Sequence, residues 1–134
     1  MKTTFKYREE KIKSGETIYR PVAKVVLKGP NNKEVVEYMY IDSGADFTLI
    51  PYRLGVYLGL EPKQYKVQDI HGISGTIGVI HEEVRLSLGK ISFPAKIAWA
   101  QTENVPLLLG RTDVFDKFRI IFEQKKRNII FEIK

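Results

Sequence analysis

Apolar residues in this chain recur mostly at every second position, in short runs separated by turn residues. From Ile91 to Trp99 the odd positions Ile91, Phe93, Ala95, Ile97 and Trp99 are all apolar. That period of two predicts a strand with one buried face. Val22 to Leu27 is apolar and β-branched, Gly29-Pro30-Asn31-Asn32 is a turn signal, and Glu34 to Ile41 resumes as a strand. Together they predict a hairpin. Tyr65 to Leu88 predicts a longer one, with Val67 and Asp69 on one arm and Ile77, Val79, Val84, Leu86 and Leu88 on the other. Its tip is His71-Gly72-Ile73-Ser74-Gly75, and Gly89-Lys90 is the next turn. Thr3 to Tyr7, Phe118 to Phe122 and Ile129 to Ile133 add strands, while Arg8 to Thr17 reads as a charged stretch with a turn at Ser14-Gly15.

Helical signals are few. Pro51 opens a short helix with Leu54 and Leu58 on one face, Gly59 ends it and Pro62 prevents its return. Thr112 or Asp113 caps a second, running through Lys117. A strand, a Gly-containing turn and a short helix at Met39 to Leu58 are thus echoed at Val105 to Lys117. The expectation is an all-β fold with one or two short helices, one domain over residues 1–134 with its core at about 20–133.

Composition narrows the function classes. The chain has 134 residues, 43% of them apolar, and no cysteine. That suits one domain with a real core, no disulfides and no thiolate metal site. The net charge of +6 comes with no basic helix and no interleaved aromatics, so a solvated surface is expected and no nucleic-acid partner. Lys125-Lys126-Arg127 reads as a solvated hairpin turn, and Trp99 as core. Met1 to Tyr19 lacks the apolar stretch of a signal peptide, and no apolar run approaches the roughly 20 residues of a membrane helix. A soluble, cytoplasmic protein without a membrane partner is expected. His71 and His81 lack metal-ligand spacing, so no metal and no cofactor are expected.

The chemistry-bearing stretch is Ile41-Asp42-Ser43-Gly44-Ala45-Asp46, where an acid closes an apolar run. Asp, Ser and Gly also favour turns, so this stretch alone is not diagnostic. Two further patterns follow it: the Gly-rich tip at His71 to Gly75, and Leu107-Leu108-Leu109-Gly110-Arg111. In this order and at these separations the three resemble the retroviral-type aspartic proteases (retropepsins) and their cellular, bacterial and archaeal relatives, over roughly Val22 to Phe131.

The resemblance implies a closed or near-closed β-barrel in which Asp42 carries the catalysis. It implies that the Ser43 hydroxyl helps lock paired loops across a two-fold axis. Gly44 would offer its backbone to substrate, and Ala45 and Asp46 would border the cleft. Arg111 would buttress the acid loop by pairing with Asp46, with Leu109-Gly110 crossing beneath. His71, Gly72, Ile73, Ser74 and Gly75 would form a flap over bound peptide. The chain departs from the family pattern in carrying Ser43 where Thr is commoner, in its flap tip and in the length of its terminal segments.

Hydrolysis of an amide by carboxylates needs one ionised group to activate water and one protonated group to donate a proton. Asp69, Asp113 and Asp116 lack the Asp-Ser-Gly context, and Asp46 stands too close in sequence to face Asp42 across a cleft. The second acid is therefore expected from Asp42 of another copy, which makes the expected enzyme a homodimeric endopeptidase acting on extended polypeptide, with apolar side chains around the bond. The alternatives are a non-catalytic dimeric peptide-binding or assembly module of the same fold, and a basic barrel that binds nucleic acid.

Overall fold

The computed structural model describes residues 1–72 and 75–134. The strands follow the turn signals closely. β1 (Lys2–Lys6) is followed by two short strands, β2 (Arg8–Lys11) and β3 (Thr17–Arg20), which pair antiparallel around the turn at Gly15. This hairpin corrects the reading of Arg8 to Thr17 as merely charged. β2 alternates between half-buried and exposed, but its half-buried residues are Arg8 and Glu10, and in β3 Ile18 and Tyr19 are half-buried side by side, so no apolar period marked the hairpin.

β4 (Val22–Lys28) and β5 (Glu34–Ile41) form the expected hairpin, Val22 opposite Tyr40 and Lys28 opposite Glu34. β6 (Thr48–Ile50) leads into α1 (Tyr52–Tyr57). β7 (Gln68–Gly72) and β8 (Gly75–Leu88) make the long hairpin, and β9 (Ile91–Ala100) returns along β8 in register from Leu88–Ile91 to Val79–Ala100. β10 is only Leu108–Leu109, and β11 (Phe118–Glu123) and β12 (Asn128–Ile133) end the chain.

The order β4-β5-β10-β6-β9-β8 closes on itself because β8 also pairs with β4, so six strands form a closed barrel from which β7 projects as an edge. A separate sheet has the order β1-β12-β11, with β12 occupied on both sides. The main core lies inside the barrel and under this sheet, and includes Leu27, Met39, Ile80, Trp99 and Phe131. A second cluster, Leu49, Val79, Ala98 and Ala100, packs with Phe47, Ile77 and Leu108 at the end that carries β7. That is why β9 loses its alternation at Ala98 to Ala100, where both faces are buried.

The second expected helix is absent. Residues 111–117 form successive turns, with Phe115 N–H donating to Arg111 O and Phe118 N–H to Val114 O. Asp113 has φ 68°, a left-handed conformation that breaks a helix. Its carboxylate accepts from the backbone N–H of Lys96 on β9 (2.8 Å) and does not cap its own turn. The echo of Met39 to Leu58 thus stops at strand and turn. The Lys125-Lys126-Arg127 turn is exposed, but Arg127 is engaged: its guanidinium lies 3.5 Å from the Tyr19 ring centroid and its carbonyl accepts from Tyr7 N–H. No helix among the described residues is long and apolar enough to cross a membrane.

α1 is held against the barrel by Trp99, which is fully buried, stacks on Tyr52 (5.5 Å between centroids, 12°) and donates its Nε1–H to Tyr52 O (3.0 Å). Gly55 permits that contact, since a Cβ there would lie 2.1 Å from Trp99 Nε1. Alanine normally gains about 1 kcal/mol over glycine inside a helix, but overpacking a core costs about 1–3 kcal/mol. The clash is with a rigid ring, so it should win. Gly55→Ala is expected to lower stability by about 1–2 kcal/mol in urea unfolding, while Val56→Ala on the exposed face should stay within about 0.5 kcal/mol. A stabilised Gly55→Ala would refute this account of how the helix docks.

Candidate active site

β5 ends at Ile41 and delivers Asp42 to the mouth of the barrel. The chain is held there by β10, which runs parallel to β5 and antiparallel to β6. Tyr40 N–H donates to Leu107 O and Asp42 N–H to Leu109 O, both at 3.0 Å. Beyond β5 the chain turns sharply. Gly44 N–H donates to Asp42 Oδ1 (2.8 Å) and Ala45 N–H to Asp42 O (3.2 Å). The Asp42 carboxylate is half-buried and keeps Oδ2 clear of that turn bond.

The turn rests on the segment after β10. Gly110 N–H donates to Thr48 Oγ1 (3.1 Å), and Thr48 is fully buried, the only buried polar residue among the described residues. Gly110 is pressed so closely onto the chain that a Cβ would sit 2.3 Å from the carbonyl carbon of Phe47. Arg111 N–H then donates to Ala45 O and Thr112 N–H to Asp46 O, each at 2.9 Å. The Arg111 side chain donates from Nη1 to Ser43 O (2.6 Å) and from Nη2 to Asp46 Oδ1 (2.5 Å). The ion pair is largely exposed, at 47% and 74%, so its charge attraction alone adds little. The forked geometry matters more, because it ties a carbonyl and a carboxylate of one loop to a single planar group.

Ser43, Gly44, Ala45, Asp46, Leu109, Gly110 and Arg111 are therefore drawn into one assembly around Asp42. On the β7–β8 hairpin His71 Nδ1 lies 2.8 Å from Thr76 Oγ1, and Gly72 is opposite Gly75; Ile73 and Ser74 of the expected flap lie outside the described residues. Asp69 is exposed on β7, Asp113 is bonded to Lys96, and Asp116 accepts from Asp113 N–H (3.2 Å).

Asp42 opens onto a cavity of about 440 Å³, whose walls include Arg20, Tyr40, Pro106 and Leu108. Three residues around the acid loop and this cavity escape sequence reasoning. Thr48 had a signal, a lone hydroxyl inside the apolar run Phe47 to Ile50. Arg20 and Tyr40 had none, because their placement depends on the β2–β3 hairpin docking onto β5. Glu10 on β2 makes that dock. Its Oε2 accepts from Tyr40 Oη–H (2.8 Å) and Arg8 Nε–H (3.0 Å), and its Oε1 lies 3.0 Å from Arg20 Nε. Both guanidiniums also lie over the Tyr40 ring, at 5.2 and 5.8 Å. Burial pushes the Glu10 carboxyl up, but the hydrogen bonds from Tyr40 and Arg8 and the charges of Arg8 and Arg20 together outweigh it and hold the group below the usual glutamate range.

Comparison with solved structures places this architecture. The chain is similar to EIAV protease complexed with the inhibitor HBY-793, with TM-score 0.56 and 20% identity, covering 72% of this chain and 86% of that one. It is also similar to a retropepsin-like aspartic protease from Rickettsia conorii, with TM-score 0.62 and 15% identity, covering 97% and 98%. No protein-family model and no curated protein matches the sequence.

Thr48→Val keeps the shape of the side chain and removes the acceptor for a buried N–H. It should cost about 1–3 kcal/mol in denaturant unfolding, with the loss of amide-exchange protection concentrated at Gly110. A cost near zero would mean that the loop does not depend on this bond. A lowered carboxyl pKa stabilises the fold fully above the unfolded glutamate pKa, and the benefit disappears as pH falls through the lower folded value. Amide protection factors in β2 and β3, taken relative to intrinsic exchange, should therefore fall below the ordinary glutamate range in the native protein. In Glu10→Gln they should be low at neutral pH already and lack that acid dependence.

Proposed function

We propose, on the premise that this chain has the retropepsin-like aspartic protease fold, that it is an aspartic endopeptidase acting on extended polypeptide as a homodimer. The observation that carries this reading is a half-buried carboxylate, Asp42, on a loop braced by Thr48, Gly110 and Arg111 and open to a cavity. A structural turn acid needs no such bracing from a segment more than sixty residues away, whereas a catalytic group must be held to a fraction of an ångström.

Two carboxyls a few ångströms apart cannot both ionise easily, so one keeps a proton while the other activates water. The other acids do not supply the second group: Asp46 is bound to Arg111, and Asp113 and Asp116 are engaged with the β9 backbone and with each other's turn. Asp42 of a second copy related by a two-fold axis supplies it, since such symmetry puts one residue on both sides of the axis. In that dimer Ser43 stands next to the axis and its hydroxyl bridges the two loops. Because β12 has no free edge, a strand contributed by the partner to the terminal sheet joins β1 or β11.

Substrate binds as an added strand beneath the β7–β8 hairpin, with backbone bonds for affinity and pockets for alternate side chains. Gly44, Ala45 and Asp46 border that strand, and the β7–β8 hairpin covers it. Leu108, Phe47 and Ile77, on the cluster below the hairpin, suit apolar side chains next to the cleaved bond. In the reaction the ionised Asp42 takes a proton from water as it attacks the carbonyl carbon. The protonated partner acid gives its proton to the carbonyl oxygen, and collapse of the tetrahedral intermediate returns a proton to the leaving nitrogen.

Denatured casein should be cut in a manner blocked by a statine-type inhibitor, with a bell-shaped pH profile belonging to the acid pair. Asp42→Asn should reduce turnover by at least about a thousandfold while sedimentation still reports a dimer. Normal cleavage by Asp42→Asn, or a dimer that cuts nothing across the pH range, would sink the enzymatic reading.

A further inference from the structure

The end of β4 remote from Asp42 carries two cations side by side. β4 lies between β5 and β8. Its Val25 and Leu27 are fully buried, so Val26 and Lys28 point outward between and beyond them. In register, Lys28 stands opposite Arg85 on β8, and Val26 opposite Val36 on β5. Like charges directly opposite one another destabilise a sheet. Neither Lys28 nor Arg85 forms an ion pair among the described residues, and Arg85 Nη2 reaches Ser92 O only at 3.5 Å. Of the acids nearby, Glu34 is exposed on the far side of Lys28, and Glu83 stands opposite Lys96 on β9. Lys28 and Arg85 line a cavity of about 300 Å³ whose walls include Pro30 and Pro94. Beside it Val36 is 49% exposed. Six residues of strand, ~20 Å, separate Lys28 from Val22, which pairs with Tyr40 next to the acid loop. None of these residues belongs to the acid loop, the β2–β3 hairpin or the terminal sheet, the parts a two-fold partner would meet.

We propose that this face docks an acidic segment of an extended polypeptide, with one carboxylate over Lys28 and Arg85 and an apolar side chain on Val26 and Val36. The docking stands without any reaction; that the segment belongs to the substrate rests on the peptidase reading. An extended segment laid along β4 has the strand's own rise. Its residues i and i+2 therefore fall over Lys28 and Val26, which are also two apart. The cation pair selects the first of them. A carboxylate between a guanidinium and an ammonium replaces repulsion with charge-assisted hydrogen bonds, so it removes a cost that the sheet alone carries. The valine pair selects the second, and the prolines lose no rotamer freedom on contact. The recognised pattern is an acidic residue two positions from an apolar one. In a substrate it stands at least about six residues from the cleaved bond, given ~3.3 Å per extended residue.

Fluorescence anisotropy measures the docking with the cleft blocked. The probe is a labelled peptide repeating Glu-Ser-Val-Ser, with Gln and Lys counterparts, added to native protein in excess statine-type inhibitor. The Glu peptide should bind about tenfold tighter than the Gln peptide, with a gap that narrows as salt is raised, and the Lys peptide should bind weakest. Lys28→Gln and Arg85→Gln should each shrink the gap and together abolish it. Val36→Thr should weaken the Glu and Gln peptides alike, whereas Lys125→Gln, in the turn between β11 and β12, should change neither. Circular dichroism establishes that each variant is folded. Equal affinity for the Glu and Gln peptides overturns the proposal, as does a Glu preference that survives in the folded double variant. Displacement by inorganic phosphate beyond the effect of sodium chloride at equal ionic strength also overturns it, since the site then serves a free anion. Tighter binding of a single-stranded oligonucleotide to the same residues overturns it in favour of nucleic acid. Glu-selective binding without cleavage of casein sustains the docking face and overturns the peptidase reading alone; cleavage without such binding does the reverse.

Discussion

The structure depends on the insertion of a two-residue strand, Leu108–Leu109, between β5 and β6. It is too short to be stable as an isolated strand and survives because both its edges are paired. In taking that place it does two things at once. It closes the barrel between β5 and β6, and it gives Asp42 N–H an acceptor at Leu109 O. The residues that follow have no freedom left: Gly110 passes the Phe47 backbone at a distance only glycine tolerates, and Arg111 arrives where the acid loop presents a carbonyl and a carboxylate. The closure of the barrel and the rigidity of the acid loop are the same set of bonds.

A second layer of organisation is electrostatic and lies at the surface. The β2–β3 hairpin contributes almost nothing to the apolar core, and charged residues do the docking. A single glutamate against two arginines and a phenol makes a network in which both carboxylate oxygens are bonded, which is worth more than an isolated exposed pair. The same network controls the arginine at the cavity wall. Arg127 stacking on Tyr19 secures the hairpin from the side of the terminal sheet, so the segment that shapes the cavity is tied to both halves of the fold. The apolar cluster of Leu49, Val79, Ala98 and Ala100 performs the matching task beneath the long hairpin.

The amino-acid order alone determined the strands β4, β5, β8 and β9 and the turns between them, because alternation, β-branched runs and turn chemistry are local. It determined the short helix from Pro51 and Gly59 for the same reason. Asp42, Gly110 and Arg111 could be singled out through the resemblance their motifs carry. Tertiary structure decided what local pattern could not express. Asp113 leaves the helical region because Lys96, on another strand, offers its carboxylate a better bond than a helix N-terminus does. β2 and β3 are strands because their charged face meets Tyr40, and a period built from Arg8 and Glu10 is invisible to any count of apolar residues. Thr48 becomes essential only when Gly110, 62 positions away, is brought against it. In each case the deciding energy is a hydrogen bond between segments distant in sequence, and such a bond exists only after the barrel has closed.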